Sequence, residues 1–417
     1  MLRIYKNFCR LSFFRRKPYL AIFTLVATWG LMYAIFEYYF PIVIDENLDS
    51  LFLVGLITSL MSVISFFTFI PFGYLAQKST LHRLLIIALF LFLVVCALLF
   101  FVQYAPLIIL IAAALIYGVF FDLFDMSIYS YLFRHVKAEL ALSKFALRDI
   151  FESIGLVIGY ILAGVLLSLN FPWTLQLVVA LAVVMISMIF LILRREKKPE
   201  SCGEFSLSWK HTKKVLGGFK NNYGLAILWL MVVETLVTII FFQFAPIYFH
   251  GRVGEVIPSD MWGGLIFAGT TIPFIFLAMP IAKKIKPAGF PWAIALGLLV
   301  LGAGFIGFSL AEHFIFELIV IVGAFVGYAF YWPTAEAFFQ RCSEQSIPDN
   351  EGEDVGIMNS ALNIGYFLGP LIGGVFLSYF SFPIVIQWCG FVLIILAVIS
   401  FLILRTPKVR GDGFLNE

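Results

Sequence analysis

Long apolar stretches recur along the whole chain, and they restrict the fold more than any other feature. About 20 helical residues cross a bilayer core of about 30 Å. Twelve stretches of this length predict membrane-spanning helices at 19–42, 51–77, 82–103, 106–132, 145–169, 172–193, 223–249, 261–283, 289–311, 314–340, 355–380 and 382–404. The stretches are apolar all round, whereas the strands of a membrane barrel alternate apolar and polar residues. We therefore predict an all-α membrane protein.

Composition excludes a soluble protein and offers no catalytic motif. Hydrophobic residues make up 62% of the chain and charged residues 13%, against about 45–50% and about 25% in soluble proteins. The five cysteines have neither metal-ligand spacing nor a disulfide pattern. A P-loop and a nucleophile elbow are also missing. We expect no enzyme, no cofactor, no metal and no nucleic-acid partner.

The distribution of basic residues predicts the orientation in the membrane. Cytoplasmic loops carry an excess of Lys and Arg. All 28 of these residues fall on one side of the predicted spans except Arg148, within a span, and Arg252, on the other side. Both termini are therefore predicted to be cytoplasmic, in a multi-pass protein of the cell membrane. The cytoplasmic parts are a basic segment at 1–18, a linker at 194–222 predicted to lie on the membrane as an amphipathic helix, an acidic loop at 342–354 and a tail at 405–417.

Glycines recur at a constant offset between the two halves of the chain. Gly155, Gly159 and Gly164 match Gly365, Gly369 and Gly374 at an offset of 210 residues. Gly55 and Gly264 differ by 209 residues, as do Gly118 and Gly327. We predict two related six-helix bundles, at 19–193 and 223–404. Because six is an even number, both bundles have the same orientation, related by an axis along the membrane normal.

These features resemble the major facilitator superfamily of secondary transporters. Residues 73–85, GYLAQKSTLHRLL, are similar to the family's loop motif. Gly73, Lys78 and Arg83 match it, and Gln77 replaces its acidic residue. The eleventh helix has the full form of the family's glycine-rich exporter motif, at Gly369-Pro370. The fifth helix has Tyr160 instead of the proline of this motif. In the fourth helix, Ala114 replaces the arginine that is usual in exporters.

The matched glycines have two interpretations. Glycines four residues apart on one helix face let two backbones approach closely in lipid. They serve either static helix packing or a sliding contact as the two halves rock. The residues predicted to serve gating and helix packing are Gly73, Lys78, Arg83, Gly155, Gly159, Gly164, Gly365, Gly369, Pro370 and Gly374.

Acidic residues inside the predicted spans are the main functional candidates, because a charge there costs at least ~2.5–3.5 kcal/mol. Glu234 lies at the centre of the seventh span and Asp122 roughly 5 Å from the centre of the fourth. An isolated carboxylate at this depth is expected to bind a proton near neutral pH. Glu234 suits proton coupling or recognition of a cationic substrate. Glu37 and Glu336 lie about 10 and about 13 Å from the centre, and the alternative is that they reach headgroups or water.

A second group of charges lies on the fourth and fifth helices. Asp125 and Arg148 enter from opposite sides to similar depth, as do Asp122 and Glu152. We predict that Arg148 neutralises Asp125, leaving Asp122 and Glu152 to share a proton. The alternative is a purely structural ion-pair cluster.

Polar and aromatic residues in three helices are candidates for the lining of a cavity. They are Trp29, Tyr33, Gln243, Tyr328, Tyr331 and Trp332.

The function predicted from these features is secondary transport of a small organic solute by alternating access, coupled to protons. We expect the protein to be a monomer whose partners are its substrate, protons and membrane lipids. Export of amphipathic or drug-like compounds is slightly favoured. The alternative is proton-coupled uptake of a nutrient such as a sugar, amino acid or peptide. A remote alternative is a membrane enzyme acting on a lipid, with Asp122 and Asp125 holding Mg²⁺.

Overall fold

The computed structural model describes residues 18–135, 138–169, 173–193, 224–250, 252, 258–285, 289–346 and 353–404. Within these ranges the chain forms twelve long α-helices. They are α1 (Pro18–Leu48), α2 (Leu51–Lys78), α3 (Leu81–Phe100), α4 (Pro106–His135), α5 (Ala138–Ser168), α6 (Trp173–Leu193), α7 (Gly224–His250), α8 (Ser259–Lys284), α9 (Phe290–Ser309), α10 (Phe314–Ser346), α11 (Glu353–Leu377) and α12 (Phe382–Leu404). The predicted linker 194–222 and the segments 1–17 and 405–417 lie outside the described residues.

Ten of the described helices are long and apolar enough to cross a membrane, and α2 and α6 contain shorter apolar helical segments, Leu51–Ser65 and Thr174–Phe190. The predicted multi-pass architecture is confirmed. The end of the bundle at which α1 joins α2 and at which α8 begins is the one predicted to face outside. We call it the outer end, and the opposite one the inner end.

Several helices continue past the limits that hydropathy predicts. α4 ends at His135 and α5 begins at Ala138, whereas the sequence predicts a gap from 133 to 144. α10 continues to Ser346, so the prediction of a loop from residue 342 is wrong. Hydropathy detects where apolar residues stop. A helix forms its own backbone hydrogen bonds and can extend beyond that point into the aqueous phase.

The two halves repeat the same helix contacts. In the first half α1 packs on α5, and α4 packs on both α2 and α3. In the second half α7 packs on α11, and α10 packs on both α8 and α9. The halves join through α2 with α11, α5 with α8, and α1 with α7. The first two of these contacts are equivalent to each other under the predicted repeat.

Glycines make the contacts between the halves close. A β-carbon on Gly164 of α5 would collide with the backbone of Asp260 and approach Gly264 of α8. A β-carbon on Gly374 of α11 would similarly meet the backbone of Leu51 and approach Gly55 of α2. Both contacts lie near the outer end. Gly155 and Gly159 pack against α1, and Gly365 and Gly369 against α7, so the matched glycines occupy equivalent places in the two halves.

Candidate functional site

Glu234 of α7 is a buried carboxylate with one oxygen left without a partner. The residue is 1% exposed. The hydroxyl of Thr238, one turn further along the helix, donates a hydrogen bond of 2.6 Å to its Oε1. Its Oε2 has no hydrogen-bond partner among the described residues. Burying an ionised carboxylate costs free energy unless it is paired and fully hydrogen-bonded. This environment therefore favours binding of a proton or of a donor group.

Tyrosines from two other helices interact electrostatically with this carboxylate. Tyr328 and Tyr331 of α10 and Tyr366 of α11 all lie within electrostatic range of Glu234. The hydroxyl of Tyr331 is buried without a hydrogen-bond partner in the described structure. Helices α7 and α10 thus each contribute a buried polar group without a partner in the described structure, Oε2 of Glu234 and the hydroxyl of Tyr331. Tyr366 is a member of the group that the sequence analysis missed.

Glu37 of α1 lies inside the bundle. Tyr33 donates a hydrogen bond of 3.0 Å to its Oε1, and Tyr160 of α5 donates one to its Oε2. The side chain of Glu37 thus turns toward α5 and not toward the headgroups, and it is partly exposed. Tyr366 of α11 is also within electrostatic range of Glu37.

Tyr160 is a site residue that the sequence indicated only indirectly. It stands where the exporter motif has a proline, and the sequence analysis took it as a departure from that motif. The structure shows a polar contact from α5 to α1 and a ring contact of 5.2 Å with Phe267 of α8 in the other half. A tyrosine in an otherwise apolar, glycine-rich helix face was the available signal.

The aromatic candidates for a cavity lining occupy different environments. Trp29 is 2% exposed and stacks on Phe124 at 4.2 Å, within the packed interior of the first half. Tyr328 and Trp332 stack at 5.8 Å and are partly buried. Gln243 is also partly buried.

Arg148 is the centre of an ion-pair cluster at the inner part of the first half. Its guanidinium lies 2.8 Å from Asp125, 3.1 Å from Asp149 and 3.0 Å from Glu152. The structure forms the predicted pair with Asp125. Glu336 of α10 lies within electrostatic range of Arg148 and Asp149, which extends the cluster toward the second half.

Asp122 and Glu152 do not form the proton-sharing pair that the sequence predicts. Asp122 accepts a hydrogen bond of 2.5 Å from Thr68 of α2, whereas Glu152 pairs with Arg148. The prediction is wrong because it compared depths and left out helix rotation. Asp122 is directed toward α2, and Arg148 is one helical turn from Glu152 on its own helix, where side chains four residues apart meet.

A histidine links the two halves at the outer end. Nδ1 of His250 in α7 lies 2.9 Å from Asp260 of α8, and Nε2 lies 3.2 Å from Glu46 of α1. The hydroxyl of Tyr38 donates to the backbone carbonyl of Asp260 at 3.4 Å. The sequence analysis counted only Lys and Arg and therefore missed this contact.

Comparison with known proteins identifies the family. The sequence model of the Major Facilitator Superfamily matches residues 20–346 and 264–416. The chain belongs to the Major Facilitator Superfamily. This is a family of transporters and not of enzymes, so the expectation of a non-enzymatic transporter is confirmed.

Individual members of the superfamily are distant from this chain. An uncharacterized MFS-type transporter of Methanocaldococcus jannaschii is 23% identical over 176 residues, 42% of this chain and 44% of that protein. The matched region thus spans less than half the length of this curated relative.

Solved superfamily structures share the fold over nearly the full chain. The nucleoside transporter NupG has a TM-score of 0.70 and 15% identity, with 93% of this chain and 98% of that chain covered. A bacterial homologue of the human lysosomal transporter Spinster, in an inward-facing and unoccupied conformation, has a TM-score of 0.65 and 13% identity, with 97% and 98% covered. At these identities the likeness concerns the fold.

The loop motif of the superfamily falls partly outside the described side chains. Gly73, Gln77 and Lys78 belong to the last turns of α2, and the surroundings of their side chains lie outside the described residues. Arg83 is exposed near the start of α3. Within the described part of the chain, no group of three or more His, Cys, Asp and Glu side chains is arranged to hold a metal ion.

Proposed function

We propose that this superfamily member is a proton-coupled secondary transporter that moves a small organic solute by alternating access. The observation that carries the proposal is Glu234, buried at mid-helix with its Oε2 unpartnered in the described part of the chain. Protonation removes the cost of a buried charge, so proton binding and release at this residue change the relative free energies of transporter conformations. Glu37, hydrogen-bonded by Tyr33 and Tyr160, is the second candidate for carrying a proton.

Export of an amphipathic compound is the direction that we favour. The groups around Glu234 are hydroxyls and aromatic rings from α10 and α11. An aromatic and acidic environment binds apolar molecules that carry a hydrogen-bond donor or a positive charge. Uptake of a nutrient remains the alternative, and it requires a polar solute to be bound at the same place.

The contacts between the halves support a site that is reached from the inner end. Gly164 with Gly264, Gly374 with Gly55, and His250 with Glu46 all join the two halves near the outer end. By the distribution of Lys and Arg, the inner end faces the cytoplasm. When these contacts break, the site opens at the outer end, and a solute bound from the cytoplasm is then released outside the cell.

The test begins with the purified protein and a thermal-shift screen of amphipathic cations, nucleosides, sugars, amino acids and dipeptides. The compound with the largest shift is then followed in proteoliposomes with an imposed pH gradient. We expect Glu234→Gln to fold normally and to lose at least about tenfold of the gradient-driven flux, because the neutral amide cannot bind and release a proton. Thr238→Val keeps the carboxyl group and is expected to retain gradient-driven flux.

Unchanged flux in Glu234→Gln under the same gradient would contradict proton coupling at this residue. Stabilisation by a sugar, amino acid or dipeptide, with inward flux driven by the gradient, would support the uptake alternative instead.

A further inference from the structure

A groove opens on the membrane-facing surface of the second half. It has a volume of ≈ 750 Å³ and is formed mainly by α9 and α12, and Phe330 of α10 also lines it. This volume falls within the ~300–1,000 Å³ range of small-molecule sites. Its walls include Trp292, which is 61% exposed, and Leu402, which is 63% exposed. The rings of Trp292 and Phe401 touch each other in its wall, with 4.4 Å between their centroids.

The groove has the length of one leaflet. Along α9 it extends from Gly289 to Leu299, a rise of about 15 Å at about 1.5 Å per residue. The hydrocarbon core of a bilayer is about 30 Å thick. The groove therefore begins near the inner end of α9 and ends near the middle of the membrane, which is the depth that one acyl chain occupies.

A positively charged residue lies at the inner end of the groove, at the level of the membrane surface. Lys284, at the inner end of α8, is exposed and is the charged residue among those that line the groove. In the sequence it is accompanied by Lys283 and Lys286. Basic residues at the cytoplasmic surface attract anionic lipid, at roughly 1 kcal/mol for each Lys or Arg. Lys284 thus complements a phosphate at the level of the headgroups.

We infer that this groove is a binding site for an anionic phospholipid, with one acyl chain between α9 and α12 and the headgroup phosphate paired with Lys284. The site lies on the lipid-facing surface of the second half, apart from Glu234 and Glu37. Its occupation does not depend on the proposed transport function. Apolar lining alone would accept any lipid, whereas Lys284 makes the site prefer a negatively charged headgroup.

The experiment uses the full chain in lipid nanodiscs with Trp292 as the reporter. Nanodiscs contain phosphatidylcholine with a small fraction of either dibrominated phosphatidylglycerol or dibrominated phosphatidylcholine, since bromine quenches tryptophan fluorescence on contact. The difference between the protein and its Trp292→Phe variant isolates the signal of Trp292. We expect the anionic lipid to quench Trp292 at about fivefold lower mole fraction than the zwitterionic lipid.

Two variants test the two parts of the site. Lys284→Gln is expected to reduce the preference for the anionic lipid to nearly onefold, whereas Arg83→Gln, which removes an exposed charge from the other half, leaves it unchanged. Val398→Phe, at an exposed position of the groove wall, narrows the groove and is expected to weaken quenching by both lipids.

Two results would overturn the inference. One is equal quenching of Trp292 by both lipids, with no effect of Lys284→Gln. The other is protection of Trp292 from both lipids together with two-step photobleaching of singly labelled protein, which would mean that a second copy of the chain covers the groove.

Discussion

At the scale of single residues, Glu37 of α1 and Glu234 of α7 differ in how completely their carboxylates are hydrogen-bonded. Both oxygens of Glu37 accept from tyrosine hydroxyls, whereas Oε1 of Glu234 has a partner and Oε2 has none among the described residues. A hydrogen bond to a charged group contributes about 1.5–3 kcal/mol. Glu37 is therefore stabilised in place by its own half, and Glu234 has capacity left for a proton or a ligand.

The hydrogen bond between Tyr160 and Glu37 can be measured by a double-mutant cycle. We expect Tyr160→Phe and Glu37→Gln to be coupled by about 1–3 kcal/mol in the free energy of unfolding, measured by titration with sodium dodecyl sulfate. Tyr331→Phe is the matched control, because it removes a buried hydroxyl that has no partner in the described structure and is expected to be neutral or stabilising. Additive effects of Tyr160→Phe and Glu37→Gln would contradict the contact.

At the scale of helices, α5 and α11 each use glycines for two different contacts. Gly155 and Gly159 bring α5 close to α1 of the same half, while Gly164 at its outer end meets α8 of the opposite half. α11 repeats this arrangement with Gly365, Gly369 and Gly374. We therefore propose that the static interpretation applies to the inner glycines and the sliding one to the outer glycines, which must separate if the halves rock.

A large side chain at Gly164 is expected to open the outer end. Gly164→Leu would place atoms where the backbone of α8 now lies, so spin labels at Asp49 and Leu310 should move apart in a background without the native cysteines. Gly323→Leu is the control, since a β-carbon there meets no atom within 4 Å, and the distance distribution should stay unchanged. An unchanged distribution in Gly164→Leu would mean that the contact tolerates a side chain and does not limit closure.

At the scale of the whole molecule, charged groups as well as close backbone contacts hold the halves together at the outer end. His250 lies between Asp260 of its own half and Glu46 of the other, with Asp45 of α1 also within electrostatic range. A neutral imidazole has one N–H and donates one hydrogen bond, whereas the imidazolium donates two. Only the protonated form of His250 therefore donates to both carboxylates.

The separation of the halves at the outer end is consequently expected to depend on pH. Acidic medium keeps His250 protonated and favours closure, and alkaline medium removes one of its two hydrogen bonds and favours opening. Because the side chain of Glu46 is 56% exposed, the bond to it contributes only about 0.2–1 kcal/mol, a population change of at most about fivefold. The Asp49–Leu310 label distance measures this change between pH 7 and pH 11.

The controls for this prediction separate His250 from other titrating groups. His250→Gln should make the outer end more open and less sensitive to pH, whereas His313→Gln, at an exposed histidine of the same end, should behave like the unmodified protein. The same pH response in His250→Gln would show that another group is responsible.

Much of the architecture follows from local properties of the sequence. The apolar stretches predict the helices, the constant offset of glycines predicts the two halves, and the isolated carboxylates Glu234 and Glu37 stand out in their spans. Errors occurred where helix rotation decides the contact. Asp122 and Glu152 have suitable depths but face different partners, and α10 continues beyond the last apolar residue.

The sequence by itself determined how many times the chain crosses the membrane, that it does so in two similar halves, and which few charges lie in apolar surroundings. Only the tertiary structure decided which groups those charges meet, Tyr160 for Glu37 and three carboxylates for Arg148, and it alone revealed the contact of His250 with Glu46. The physical reason is range. Hydropathy and periodicity depend on each residue and its neighbours in sequence, whereas a hydrogen bond between helices requires a rotation and separation accurate to within about 1 Å, and these are set by packing along the full length of both helices.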